Sequence, residues 1–215
     1  MIKIAPSILS ADLLMIKKQV QKVDKAGADY IHIDIMDGQY VSNITFGPNI
    51  VRSLKKITDK VLDVHLMINN ANKYLKDFAD AGSDIICFHP ETVSNPKNTI
   101  KKIKRYGVKS GIAIHPKIKI ADIQKYIHLV DSVIVMTVIP GFSGQKFLKN
   151  QLSKISKLDE IRNKYNLKYK IEVDGGINNM TSKLSVDRGA DILVAGSYIF
   201  DSTISNYKKK IESLR

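Results

Sequence analysis

The chain has 215 residues, 44% of them hydrophobic and 26% charged, and its formal net charge is +13. Its one cysteine, Cys87, excludes an internal disulfide and a cysteine-built zinc site, and the lack of a cationic leader or a long apolar stretch predicts a soluble, cytoplasmic protein with no membrane partner. The cations are mostly lysines scattered along segments of helical period without interleaved aromatic side chains, so we expect a solvated basic surface that attracts small anions and no nucleic-acid partner.

Eight short apolar runs rich in β-branched residues recur along the chain and predict strands. They cover residues 2–8, 30–36, 61–68, 84–89, 109–115, 132–138, 169–175 and 192–197. Amphipathic segments of helical period lie between most of them. This alternation predicts repeated strand–helix units with right-handed crossovers.

The segment "DLLMIKKQVQKVDKAG" is typical of the predicted helices. Asp12 is expected to open this helix as its cap, and Gly27 to close it. The stretches "AGADYIHI", "AGSDIICF" and "RGADILVA" share a pattern in which a glycine is followed two residues later by an aspartate and then by a strand. This echo supports a repeating unit.

Eight such units in one chain without a linker predict a single-domain α/β protein, a (β/α)8 TIM barrel over residues 1–215. Near-continuous apolar strands suit a parallel sheet that is covered on its outer face. An open doubly wound sheet is the alternative. In a barrel, the carboxyl ends of the strands carry the functional side chains.

Four polar side chains lie toward the carboxyl ends of three predicted strands. His32 and Asp34 are two apart on one strand and share a face, His65 lies near the end of the third strand, and Asp174 ends the seventh. Four buried polar groups without partners would be costly, whereas two imidazoles and two carboxylates suit a divalent cation. The sequence therefore predicts one metal site for Zn²⁺, Fe²⁺, Mn²⁺ or Co²⁺.

Asp34 and Asp174 come from strands far apart around the predicted barrel. Two acids on opposite sides of a substrate can invert a carbon centre, because one removes a proton and the other returns a proton to the opposite face. A metal between them would stabilise the enediolate formed on the way. Glu172 shares the face of Asp174, and support beneath the ligands and a structural salt bridge both remain open for it.

Glycine-containing turns follow the last three predicted strands, as "PGFSGQ", "DGGIN" and "AGS". Glycines at strand ends let backbone N–H groups approach an anion, and the loops after the seventh and eighth strands of barrels commonly hold phosphate. Together these turns predict a phosphate site at the same end of the barrel as the metal.

Taken together, the motifs resemble the ribulose-phosphate 3-epimerase family over nearly the whole chain. They are "IAPSILSADL", "HIDIMDG", "NITFGP", "DVHLMI", "HPE", "PGFSGQKF", "EVDGGIN" and "AGSYIF". The resemblance implies a metal-dependent isomerase of the pentose phosphate pathway that interconverts D-ribulose 5-phosphate and D-xylulose 5-phosphate. It also implies one divalent metal ion per subunit, a small phosphorylated ketose as substrate, and a homo-oligomer.

Carried over by position, the resemblance assigns roles to individual residues. It makes His32, Asp34, His65 and Asp174 the metal ligands, with Asp34 and Asp174 as the acid/base pair. Its substrate-binding set comprises Ser7, Met36, His65, Met67, Met136, Gly141, Gly144, Gly175, Gly176, Gly196 and Ser197. For the three methionines, an ordinary place in the barrel core is an equally good interpretation.

Three departures from the family pattern concern the substrate. They are Ser42, Ser143 and His115 at the end of the fifth strand. The stretch "VMTVIPGFSGQKF" leans toward D-allulose-6-phosphate 3-epimerases, which act on a ketose one carbon longer, whereas "DGGIN" and "AGSYIF" lean toward the pentose enzyme. A hexulose phosphate therefore stays open as the substrate.

Other classes of protein fit the sequence less well. A Schiff-base aldolase needs a lysine at the carboxyl end of a strand, but Lys109 and Lys170 lie at strand starts. Barrels that decarboxylate orotidine phosphate or build hexulose phosphate use an Asp-X-Lys pattern, and Met36 stands where that lysine would be. A non-catalytic phosphosugar-binding or nucleic-acid-binding protein would not need paired acids and a metal set.

Overall fold

The computed structural model describes all residues 1–215 and has eight parallel strands in a single sheet. The strands are β1 (Lys3–Pro6), β2 (Tyr30–Met36), β3 (Val61–Met67), β4 (Ile85–Phe88), β5 (Lys109–Ile114), β6 (Ser132–Met136), β7 (Lys170–Asp174) and β8 (Ile192–Ala195). Each strand pairs with its neighbour in chain order, and β1 pairs with β8. A parallel bridge between Ser7 and His32 joins β1 to β2 and closes the ring. The predicted (β/α)8 barrel is confirmed.

Helices connect the strands and cover the outer face of the sheet. They are α1 (Ile16–Lys25), α2 (Pro48–Lys55), α3 (Leu75–Asp80), α4 (Pro96–Arg105), α5 (Ile120–Ile123), α6 (Leu152–Lys164), α7 (Asn179–Val186), α8 (Ser197–Phe200) and α9 (Tyr207–Glu212). Their apolar faces and the outward side chains of the strands form a main core of 45 buried residues. None of these helices has the length and apolar character needed to cross a membrane.

The predicted start of the first helix is wrong by three residues, because the residue that caps α1 is Met15 and not Asp12. Asp12 does accept a hydrogen bond from a backbone N–H, that of Leu14 at 2.9 Å, but it does so in a turn that precedes α1. A short polar side chain can stabilise such a turn as readily as a helix start. Gly27 does follow the helix, with φ at +98°, a conformation that glycine adopts without strain.

A ring of four aspartates ties neighbouring strands together at the amino-terminal end of the barrel. Each stands just before an even-numbered strand, and one of its carboxylate oxygens accepts the backbone N–H of the second residue of the preceding strand. The pairs are Asp29 with Ile4 (2.9 Å), Asp84 with Leu62 (2.8 Å), Asp131 with Ser110 (2.9 Å) and Asp191 with Ile171 (2.9 Å). Each carboxylate also pairs with at least one cation, including Lys3, Lys55, Lys104 and Arg162 in that order. Three of these aspartates belong to the Gly-x-Asp echo in the sequence.

Candidate active site at the barrel mouth

The barrel brings the four predicted ligands together at the carboxyl end of the strands. In the register of β2 and β3, Asp34 lies opposite His65, and β7 contributes Asp174 from across the barrel. Both imidazoles are fully buried, and Asp34 and Asp174 rise above them. The convergence follows from the topology, because the carboxyl ends of all parallel strands open onto one mouth.

Four ligand atoms face one another across this cluster. His32 Nε2 lies 3.4 Å from Asp34 Oδ1 and 3.8 Å from Asp174 Oδ2, and His65 Nδ1 lies 3.2 Å and 3.6 Å from the same two oxygens. Donors bound at the usual distance to a tetrahedral zinc ion lie about 3.4 Å apart. The spacing of the four atoms thus suits a single small divalent cation.

The charges of the cluster are strongly coupled. Burial alone would lower the pKa of both histidines, but Asp34 and Asp63 hold the pKa of His32 well above its ordinary value, and Asp174 and Asp34 raise that of His65 to about 9. Burial opposes ionisation of Asp34, yet the two imidazoles keep its pKa below the usual range. Asp34 therefore stays ionised, and the protons on the two imidazoles are ones that a metal ion could displace.

One atom of this cluster has no partner within the protein. His32 Nε2 is buried and makes no hydrogen bond, although an unpaired buried nitrogen is costly. The same ring is fixed from behind, because its Nδ1 lies 2.6 Å from Asp63 Oδ2. A neutral imidazole with Nδ1–H donated to a carboxylate directs the lone pair of Nε2 at the cluster, which is the arrangement typical of metal-binding histidines. The residues present fit a divalent metal.

Glu172 lies beneath His32, where no lysine or arginine reaches it. Its Oε1 is 3.4 Å from His32 Nδ1, and neither carboxylate oxygen has a hydrogen-bond partner. Burial and the neighbouring Asp63 raise the pKa of Glu172 to about 8, so the group is held protonated at neutral pH. A salt bridge to a lysine or arginine is therefore excluded for Glu172, and support behind His32 stays a prediction.

The second histidine is oriented by a longer chain of polar groups. His65 Nε2 lies 3.0 Å from His89 Nε2, and His89 Nδ1 lies 3.5 Å from Glu91 Oε1, which also accepts a hydrogen bond of 2.8 Å from the hydroxyl of Tyr40. Burial lowers the pKa of His89 to about 4, so this ring is neutral and its Nε2 can accept a hydrogen bond from the N–H of His65 Nε2. His65 Nδ1 is then left free to bind a metal.

A cavity opens above the cluster. Asp34, Asp174 and the three methionines Met36, Met67 and Met136 line it on one side. Ser7 stands at the end of β1 and donates a hydrogen bond of 2.6 Å from its hydroxyl to Asp34 Oδ2. The soft, apolar methionine surface excludes water beside the two carboxylates.

Glycine-rich loops form the opposite wall of this cavity. They contribute Gly141, Gly144, Gly175, Gly176, Gly196 and Ser197. The backbone N–H groups of Gly144 and Gly176 donate to no backbone carbonyl, which leaves them available to an anion. A Cβ on Gly176 would lie 2.7 Å from the backbone nitrogen of Phe147, so only glycine fits there. This wall is suited to a phosphate group.

The loop after β6 reaches across the mouth and covers part of the cavity. Asn43, in the loop after β2, donates a hydrogen bond of 2.7 Å from its side-chain amide to the carbonyl of Gly141. Gln145 holds the covering loop in shape, since its amide donates to the carbonyls of Ile139 at 2.7 Å and Phe142 at 2.8 Å. The loop shields the site from bulk water.

All but one of the residues expected to contact a substrate line the cavity. The exception is His65, which has no exposed surface and lies within the cluster of His32, Asp34 and Asp174 instead. Sequence reasoning gave no role to Asp63 or His89, which orient the two histidines. Asp63 stands two residues before His65 and faces the same way, a signal equivalent to the His32 and Asp34 pair.

The matches with known proteins agree with this geometry. The model of the ribulose-phosphate 3 epimerase family matches residues 3–200. The ribulose-phosphate 3-epimerase of Bacillus subtilis is 44% identical, over 100% of this chain and 99% of that protein. The Synechocystis enzyme of the same name is 41% identical, over 100% of this chain and 93% of its own length. A chloroplastic ribulose-5-phosphate-3-epimerase of Arabidopsis thaliana is 39% identical, over 99% and 75%.

Solved structures with little sequence similarity share the barrel. A mutant tryptophan synthase alpha-subunit from Pyrococcus furiosus superposes with a TM-score of 0.73 at 15% identity, covering 99% of this chain and 97% of that one. KGPDC from Streptococcus mutans gives a TM-score of 0.73 at 14% identity, covering 99% and 95%. These likenesses concern the fold alone, whereas the full-length sequence matches show that the chain belongs to the ribulose-phosphate 3-epimerase family.

Proposed function

We propose that the chain is a metal-dependent ribulose-phosphate 3-epimerase, which interconverts D-ribulose 5-phosphate and D-xylulose 5-phosphate. One observation carries the proposal. The two carboxylates Asp34 and Asp174, from opposite parts of the barrel, meet beside two buried imidazoles at a cavity whose other wall suits a phosphate. Family membership supports the same assignment.

In this mechanism, the substrate lies with its phosphate against the glycine loops and its C3 between the two carboxylates. One carboxylate removes the C3 proton, and the other, holding a proton, delivers it to the opposite face of the planar intermediate. In the reverse reaction the two acids exchange roles. Ser7 keeps the carboxylate of Asp34 in place, and the methionines keep bulk water from protonating the planar intermediate directly.

His32, Asp34, His65 and Asp174 are the residues that would hold the metal. When bound, it supplies positive charge that stabilises the enediolate formed when C3 loses its proton. Asp63 and His89 fix the two imidazoles so that one nitrogen of each faces the metal position. This orientation keeps the ligand set assembled before the substrate arrives.

A hexulose phosphate is the second candidate substrate. Of the three residues that depart from the family pattern, only Ser143 lines the cavity, on the covering loop beside the phosphate wall. A substrate one carbon longer differs in the span from C3 to phosphate, so this loop is where a preference for it would arise. The acid/base pair and the metal-binding atoms are the same in both cases.

The substrate assignment is tested by proton NMR in D₂O with the metal-loaded enzyme. D-ribulose 5-phosphate and D-allulose 6-phosphate are supplied in parallel, and C3 deuteration and product formation are followed. We expect much faster turnover of the pentose. Strong preference for the hexose would move the chain to the longer substrate, and the absence of C3 deuteration with both would refute the epimerase assignment.

Removal of the metal is expected to abolish activity, and one equivalent of a divalent ion per chain to restore it. The measurement is metal content by elemental analysis alongside rate, after chelation and stepwise reloading. His65→Asn should lower the bound metal as well as the rate, because the variant loses a buried ligand. The exposed His128→Asn is the matched control and should retain both. Full activity in a rigorously metal-free sample would contradict the prediction.

A further inference from the structure

Strand β2 extends beyond its neighbour β1 at the mouth of the barrel. β1 ends at Pro6, and the last bridge between the two strands joins Ser7 to His32. β2 continues to Met36, so Asp34 lies in a part of the strand that has lost its partner on the β1 side. Backbone groups at such a strand end need other hydrogen-bond partners to stay ordered.

The hydroxyl of Thr45 replaces the missing strand. Thr45 Oγ1 donates a hydrogen bond of 2.6 Å to the carbonyl of Asp34 and accepts one of 3.0 Å from the N–H of Met36. The N–H of Thr45 donates to the carbonyl of Met36 at 3.3 Å. The Thr45 side chain thus holds the main chain on both sides of Ile35, at the carbonyl of Asp34 and the N–H of Met36. It therefore fixes the direction in which the Asp34 side chain leaves the strand.

A second threonine holds the other acid in a similar way. Thr137 follows β6 and is fully buried. Its N–H donates to the carbonyl of Asp174 at 2.7 Å, and its hydroxyl lies 2.6 Å from the carbonyl of Gly175 and 3.0 Å from that of Asp174. Asp174 is the last residue of β7, where the chain turns into the glycine loop, and Thr137 fixes that turn.

We infer that Thr45 and Thr137 are positioning residues for the epimerisation, one threonine hydroxyl for each of the two acid/base aspartates. The inference rests on the proposed function, because it takes Asp34 and Asp174 as the groups that move the C3 proton. Neither hydroxyl touches the ligand atoms or the substrate cavity, so each acts through the main chain of its aspartate. Displacement of a reacting group by about 1 Å can lower a rate by up to about a hundredfold.

The test uses Thr45→Val and Thr137→Val, which keep the shape of the side chain and remove the hydroxyl. Each variant is incubated in D₂O with either epimer of the substrate. The readout is the ratio of deuterium entering C3 of unconverted substrate to product formed. For both variants we expect kcat to fall by about tenfold with little change in KM.

The isotope ratio separates positioning from a general loss of structure. In Thr137→Val, proton transfer by Asp174 is impaired in both directions. The ratio should therefore rise about tenfold for the epimer that Asp34 deprotonates and fall by a similar factor for the epimer that Asp174 deprotonates. In Thr45→Val the effects on the ratio should be reversed between the two epimers. Loss of stability alone would lower the active fraction and leave the ratio unchanged for both epimers.

Two controls complete the experiment. Thr99 is also fully buried and donates from its hydroxyl, to Asn72 at 3.0 Å and to the Asn95 carbonyl at 3.1 Å, but on α4 away from the site. Thr99→Val should lower the stability and leave the isotope ratio unchanged. Thr45→Ser and Thr137→Ser keep the hydroxyl and should restore the wild-type ratio; should a valine variant fail to fold, the alanine variant is measured against the serine variant.

The outcomes distinguish this inference from the proposed function. Wild-type protein that exchanges no C3 proton would refute the epimerase assignment itself. A wild-type protein that epimerises, together with valine and alanine variants whose ratios match it for both epimers, would overturn the role of the threonines and leave the assignment intact. A shift in Thr99→Val equal to that in the other two variants would overturn it as well.

Discussion

Asp34→Asn is expected to lower the rate of epimerisation by about four orders of magnitude, the upper range of what a single acid/base group contributes. The amide cannot accept the C3 proton, and it also replaces an anionic metal ligand. Asparagine has nearly the same shape, and its side chain can still accept the hydrogen bond that the Ser7 hydroxyl gives to Asp34 at 2.6 Å. The variant should therefore fold, and the loss should appear in turnover of both epimers.

The measurement is the initial rate of conversion in each direction, with metal content determined on the same sample. Asp37→Asn is the matched control from the same stretch of sequence. Asp37 accepts the backbone N–H groups of Gln39 and Tyr40 on one oxygen and that of Asn69 on the other, and the single oxygen of an asparagine can keep the first two of these bonds. The control should keep activity within about twofold, since Asp37 has no part in the proton transfer. A rate for Asp34→Asn within tenfold of wild type, in a metal-loaded sample, would remove Asp34 from the mechanism.

Asp174→Asn is expected to block epimerisation by about three orders of magnitude while allowing exchange of the C3 proton on one face. Asp34 remains able to remove the proton from the epimer that presents it and to return a deuteron from D₂O to the same face. The product of the reaction would then be deuterated starting material with unchanged configuration. This partial reaction is the expected signature of a mechanism with two separate acids.

NMR in D₂O with each epimer in turn measures this partial reaction. Deuterium should enter C3 of one epimer and not of the other. Asp187→Asn, at the exposed end of α7, serves as the control and should retain both exchange and inversion. Inversion at a wild-type rate would refute the role of Asp174. Exchange from both epimers would show that the remaining groups reach both faces of C3, and it would contradict the assignment of one face to Asp174.

The sequence predicts the strands, and also the convergence of the four side chains that we propose as metal ligands, and the reason is periodicity. His32 and Asp34 must share one face of a strand because they are two residues apart, and parallel strands in a closed ring bring their carboxyl ends together. His65 and Asp174 follow from the same rule once the strands are counted. The spacing of these residues and their positions at strand ends are therefore enough to predict most of the cluster.

The groups that orient the ligands could not be predicted in the same way. Thr45 reaches Asp34 from the loop after β2, and Thr137 reaches Asp174 from the position just after the neighbouring strand β6, so each contact depends on how the chain turns at a strand end. His89 meets His65 because β3 and β4 are neighbours, and only the observed side-chain geometry shows that their rings face each other. Such partners are set by tertiary packing and leave no repeating pattern in the sequence.

The start of α1 and Asp131 of the aspartate ring show two further limits of prediction from the sequence. Asp12 has the residue type of a helix cap, but a cap and a turn make the same hydrogen bond from a side-chain oxygen to a backbone N–H. Asp131 takes the same place as Asp29 although no glycine precedes it by two residues, because the helix before it ends differently. A residue pattern therefore predicts the role of a side chain only where the backbone conformation around the pattern is the same in each case.

The aspartate ring at the amino-terminal end has a consequence for how this protein can change over evolutionary time. Its four carboxylates fasten the strands in pairs, at the end of the barrel opposite to the proton-transferring groups. The stability of the barrel and its catalytic activity thus depend on separate sets of residues. A substitution that raises the stability through the ring does not have to lower the activity. Lineages of this enzyme are free to adjust to hotter or colder habitats at one end of the barrel while the reacting end stays as it is.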